Sequence, residues 1–130
     1  MARRATAVGG RDCDPSVRRA YFECRFGQLH VHNAMPAGGG FDEATPLLCI
    51  HRDGVTGRMF AGLMRTIGRD RSVYAPDLPG SGESDGPQPS PGCTDLAAAL
   101  GDFLRDLRLR RVDLADRLDL QQGEIALLVL

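Results

Sequence analysis

The chain has 130 residues with a net charge of −1, 42% of them hydrophobic and 25% charged, the profile of one globular domain and not of a disordered chain. The near-neutral charge argues against electrostatic nucleic-acid binding, which depends on clustered positive potential; all 16 basic residues are arginine, which reads as codon bias of a GC-rich, bacterial genome. There is no apolar run of ~20 residues to cross a membrane, no secretory signal in the first twenty residues, and no C-x-x-C pair among Cys13, Cys24, Cys49 and Cys93, so a reduced, cytoplasmic protein is expected.

Residues 1–20 read as a disordered tail, leaving 21–130 as the folded part. Residues 21–33, Y-F-E-C-R-F-G-Q-L-H-V-H-N, alternate on both sides of Gly27-Gln28. That pattern predicts an antiparallel hairpin with a type II′ turn, in which glycine accepts the positive φ of the first central position. Phe22, Cys24, Phe26, Leu29 and Val31 share its apolar face. His30 and His32 fall on the other face with Glu23 and Arg25. Two histidines on one strand face is a spacing used by some zinc sites, but an exposed polar face accounts for the pair, and no metal or other cofactor is expected.

A glycine- and proline-rich loop follows, and then L-L-C-I at 47–50, a continuous apolar run that suits a strand covered on both faces. Thr56 can cap a helix running to Ile67, with Met59, Phe60, Leu63, Met64 and Ile67 on one face and Gly68 at its end. Val73-Tyr74-Ala75 makes a short strand that runs into P-D-L-P-G-S-G-E-S-D-G-P. A second helix begins near Thr94 with the stripe Leu96, Leu100, Phe103, Leu104 and Leu107, and Val112–Ala115 makes another strand. Strands alternating with helices predict a parallel sheet with right-handed crossovers, an α/β protein.

Residues 82–86, G-E-S-D-G, match Gly-x-Ser-x-Gly, the signature of a nucleophilic serine on a strand-to-helix elbow. An elbow needs a strand directly before its serine and a helix directly after. Ser84 stands well past Ala75 and is followed by prolines 87, 89 and 91, so it reads as a loop serine.

Three features together resemble the α/β-hydrolase superfamily over roughly residues 21–115: the opening hairpin, the apolar strand ending in histidine (L-L-C-I-H, 47–51), and D-L-P-G-S-G-E-S at 77–84. The last is similar to the superfamily's D-x-x-G-x-G-x-S loop. The resemblance implies a partial α/β-hydrolase fold, with the antiparallel hairpin followed by parallel strands near 47–51, 72–76 and 112–115, and the 72–76 strand lying between the hairpin and 47–51. It implies an oxyanion-hole loop at His51, Arg52, Asp53 and Gly54, where relatives carry His-Gly, and a structural loop held by Asp77, Gly80, Gly82 and Ser84.

The resemblance also implies a nucleophile elbow after 112–115. Aligned on V-D-L, the elbow's glycine, nucleophile and glycine fall on Asp116, Leu118 and Leu120. Asp116 and Asp119 lack flanking glycines and read as solvated charges in a turn. No serine or cysteine follows Cys93, and the last histidine is His51, whereas the fold's triad runs nucleophile, acid, histidine. No catalytic residue is identifiable. The implied activity is hydrolysis of a small ester, amide, epoxide or similar molecule through a covalent intermediate, with this chain a truncated, inactive front half. The alternative is a non-catalytic binding module. The 112–115 strand, without its next neighbour, is expected to leave a bare edge that promotes self-association.

Overall fold

The computed structural model describes residues 16–38, 44–52, 54–88, 90–119 and 124–129, with side chains described up to Ala115. Strands β1 (Arg18–Cys24) and β2 (Gly27–Ala34) are followed by β3 (Leu47–Ile50). A 3-10 turn (Gly57–Phe60) leads into α1 (Ala61–Ile67); β4 (Val73–Pro76), α2 (Cys93–Asp106), β5 (Asp113–Asp119) and β6 (Glu124–Val129) complete the chain. The strands form a six-stranded sheet in the order β1-β2-β4-β3-β5-β6. Its centre is parallel, β3 pairing with β4 (Leu47 opposite Val73) and with β5 (Leu47 opposite Asp113). On either side of that centre the pairing is antiparallel, β2 with β4 and β5 with β6.

L-L-C-I is apolar throughout because β3 is buried on both faces. Successive side chains of a strand point to opposite faces. Leu47 and Cys49 meet Phe60 and Met64 of the α1 segment, together with Ala34, Val73, Ala75 and Ala115. Leu48 faces α2, where it joins Leu29, Val31, Val112 and Phe103. The Phe103 ring meets Phe22 and Tyr74 edge-on at centroid distances of 5.1 and 5.6 Å, the arrangement aromatic quadrupoles prefer. Burial of Cys49 pushes its thiol up to about 12.

The helices form near the expected places. Thr56 Oγ1 accepts the Arg58 amide at 3.3 Å, capping the first turn. At the start of α2, Asp95 accepts the Gly92 amide at 2.9 Å. Ala99 and Phe103 are its buried residues, while Leu104 and Leu107 are partly covered. The helix closes with Leu109 N–H bonded to Leu104 O at 2.9 Å, a wrap that places Arg108 at φ 59° where glycine usually stands.

Four expectations need correction. The hairpin turn is Arg25-Phe26, not Gly27-Gln28, because Cys24 pairs with Gly27. Neither turn residue has positive φ; Gly27, just after them, does (123°), so the chain reverses through an ordinary turn followed by a glycine. A Cβ at Gly27 would also run into the Asp85 carboxylate. Second, β1 begins at Arg18, so residues 18–20 belong to the sheet and not to a tail. Third, β5 continues past Ala115 to Asp119, which puts Asp116 and Asp119 in a strand and not in a turn. Fourth, β6 pairs along β5, so the edge expected to be bare is covered.

Ion pairs at Asp102 and Asp113 hold the periphery. Arg25 grips Asp102 of α2 through its Nε (3.0 Å), its Nη2 (2.9 Å) and its main-chain amide (2.8 Å), fastening the hairpin tip to the helix. Arg71 donates to Asp113, joining the turn before β4 to the start of β5.

Candidate functional site

Parallel β3 and β4 are neighbours, so the segments leaving their carboxyl ends, beginning at His51 and Asp77, emerge side by side at the carboxyl edge of the parallel strands. Asp77, the first residue past β4, is 2% exposed. Its carboxylate is the hub of the loop. Oδ1 accepts the Gly57 amide at 2.9 Å, and Oδ2 accepts the Glu83 amide at 3.1 Å and His30 Nδ1–H at 2.9 Å. His32 Nε2 lies 3.3 Å from Oδ1. Burial alone would push the Asp77 carboxyl up, but the Glu83 amide, His30 and the Gly57 amide outweigh it and leave the group below its ordinary range. His32 is held below the usual imidazole range, mainly by burial and against the attraction of Asp77.

The glycines of D-L-P-G-S-G-E-S have geometric reasons. Gly80 and Gly82 take φ of 83° and 52°, and a Cβ at Gly82 would clash with the Asp77 carboxylate that the Glu83 amide caps. Ser84 Oγ donates to Asp77 O at 2.6 Å and accepts the His30 amide at 2.8 Å. Asp77 N–H in turn donates to His30 O at 2.8 Å, so the serine hydroxyl extends the β2–β4 ladder one step past the end of β4. Asp85 then reaches the hairpin, accepting the Gln28 amide at 2.8 Å.

His51, 3% exposed, joins the two loops. Its Nε2 accepts the Leu78 amide at 2.9 Å, which fixes the proton on Nδ1, and Nδ1–H donates to Arg52 O at 2.8 Å. The Arg52 side chain points to solvent, Gly54 turns at φ 88° in open space, and Asp53 lies outside the described residues.

The structure therefore brings Asp77, Gly80, Gly82, Ser84 and His51 together and adds His30, His32 and Gly57 to them. The expectation that His30 and His32 sit on an exposed face is overturned, since they are only 3% and 7% exposed. Alternation gave their shared side correctly but not what covers it. The 3-10 turn lies so close that a Cβ on Gly57 would press into His32 and Ala75, and the Tyr21 ring lies tilted beside His30 at a centroid distance of 5.0 Å. A polar cleft of about 530 Å³ opens next to the loop, lined by Phe26, Ser84, Asp85, Gln88 and Ser90 among others.

With this geometry established, comparison with solved structures identifies the class of fold. The chain matches an alpha/beta hydrolase from Novosphingobium aromaticivorans at a TM-score of 0.64 and 22% identity, over 74% of this chain and 33% of that one. The Cif epoxide hydrolase of Acinetobacter nosocomialis aligns at a TM-score of 0.65 and 22% identity, over 78% of this chain and 30% of that one. The N-acyl homoserine lactonase AidH aligns at 0.64 and 26% identity, over 76% and 35%. The chain has a partial α/β-hydrolase fold, and it spans about a third of the length of these structures. No protein-family model and no curated protein matches its sequence. No helix among the described residues is long and apolar enough to cross a membrane.

Proposed function

We infer that this chain is the front part of a small-molecule hydrolase acting through a covalent intermediate on an ester, amide, epoxide or similar bond. In this reading the loop His51, Arg52, Asp53 and Gly54 supplies an amide to the oxyanion, and Asp77, Gly80, Gly82 and Ser84 hold the neighbouring loop in shape. The nucleophile, acid and base come from sequence beyond these 130 residues. The observation that carries the reading is the His51–Leu78 bond at 2.9 Å, which fastens the loop after β3 to the loop after β4 at the carboxyl edge of the parallel strands.

Two experiments test it. The gene sequence following Leu130 should encode an elbow serine, cysteine or aspartate, then an acid, then a histidine; a gene without them defeats the hydrolase reading. The 130-residue protein should neither turn over p-nitrophenyl esters, epoxides or lactones nor react with a fluorophosphonate. Labelling at Ser84, lost in Ser84→Ala, would overturn its assignment as a loop serine.

One observation favours a second reading. Where the hydrolase elbow requires a strand turning into a helix, β5 runs to Asp119 and pairs antiparallel with β6. A sheet extended in this way suits a binding module that kept the hydrolase scaffold without its chemistry. A cytosolic setting and small-molecule ligands fit both readings.

A further inference from the structure

His30, His32 and Asp77 form, among the described residues, the one group of histidine, cysteine or acidic side chains whose donor atoms converge, all lying within 4.8 Å of one another. Their positions follow from the sheet. Residues two apart share a strand face, so both imidazoles of β2 point the same way, and the pairing of Val31 with Pro76 brings Asp77 beside them.

The carboxylate is held from behind. Each of its oxygens uses one lone pair on a main-chain amide, Gly57 at Oδ1 (2.9 Å) and Glu83 at Oδ2 (3.1 Å), and turns the other toward an imidazole. Amides that orient a carboxylate while leaving a lone pair free on each oxygen are the outer support found around metal-binding carboxylates.

We propose that His30, His32 and Asp77 form a three-ligand site for zinc that clasps β2 to the loop following β4. Two imidazole nitrogens and one carboxylate oxygen match the donor preference of zinc, and three protein ligands leave the fourth position to water or an incoming donor. Donors around a tetrahedral zinc stand roughly 3.3 Å apart, so the widest gap must close by no more than roughly 1.5 Å on binding. On binding, the proton on each coordinating nitrogen passes to the other ring nitrogen or to solvent, and no redox change is involved. The proposal is independent of the hydrolase reading, because it concerns a fastening and not a reaction.

The test uses the 130-residue protein, freed of any tag and stripped with a chelator. Titration with Co²⁺ should give the visible absorption of a tetrahedral nitrogen- and oxygen-ligated ion, and Zn²⁺ should displace it at one equivalent and raise the Tm. His32→Gln and Asp77→Asn should each weaken zinc binding more than about tenfold, while Cys93→Ser should leave it unchanged. Absence of a cobalt spectrum and of calorimetric zinc binding in the wild-type protein overturns the proposal without any variant. Undiminished binding in folded His32→Gln overturns it as well.

Discussion

His51 accepts the amide of Leu78 at 2.9 Å while donating to Arg52 O at 2.8 Å, so a single uncharged imidazole joins the exits of β3 and β4. Removing it strands a buried N–H. His51→Ala should lower unfolding free energy by about 1–3 kcal/mol, the desolvation penalty of an unpaired buried donor. Urea denaturation measures it, and a change below about 0.5 kcal/mol would mean that the Leu78 amide finds another partner.

Ser84 makes two hydrogen bonds to main chain, one donated to Asp77 O and one accepted from His30 N–H. Because two main-chain groups depend on the hydroxyl, Ser84→Ala should destabilise by about 1–3 kcal/mol. Ser84→Thr, which keeps the hydroxyl, should recover part of the loss. Equal stability of wild type and alanine variant would contradict this account.

These two residues mark how far the sequence carries. The motif D-L-P-G-S-G-E-S announces a tight loop because its glycines and serine have only a few physical uses, and the apolar run L-L-C-I announces a central strand. What the sequence does not carry is which long-range partner covers a given face. His30 and His32 alternate correctly, yet nothing near them in the chain says that Gly57 and Asp77 will close over them. Gly27 signals a positive φ but not its place in the turn, since a primed turn and a turn followed by glycine both require one. The strand signal of β5 stopped at Ala115 because Asp116 and Asp119 break the apolar pattern, whereas pairing with β6 carries the strand on.

Arg108 occupies the left-handed region at φ 59° to close α2. A side chain there is strained and glycine is not. Arg108→Gly should therefore raise stability by about 0.5–1 kcal/mol, seen as a higher Tm. A lower Tm would show that the arginine side chain makes a contribution larger than its backbone strain.

The side chain of Arg25, and next its amide, hold the Asp102 carboxyl well below the usual carboxylate range. A depressed carboxylate stabilises the fold at every pH above its unfolded value of about 3.9 and loses that contribution as pH falls toward the folded value. The stability gap between wild type and Asp102→Asn should stay constant from neutral pH to about 4 and then narrow. Because Arg25 is exposed, added salt should shrink the gap across the whole range. A gap that widens on acidification would reverse the assignment.

Cys49 stands fully buried in β3, its thiol pushed up to about 12, whereas Cys93 is exposed at the start of α2. The molecule thus carries two built-in clocks. Cys93 should react with a thiol reagent at once, in the folded state, but Cys49 can react only when the strand between β4 and β5 parts from its neighbours. Mass spectrometry of a timed alkylation would therefore separate motion at the surface from opening of the sheet itself, with no residue substituted. Equal rates at the two thiols would mean that Cys49 is reached without the sheet opening.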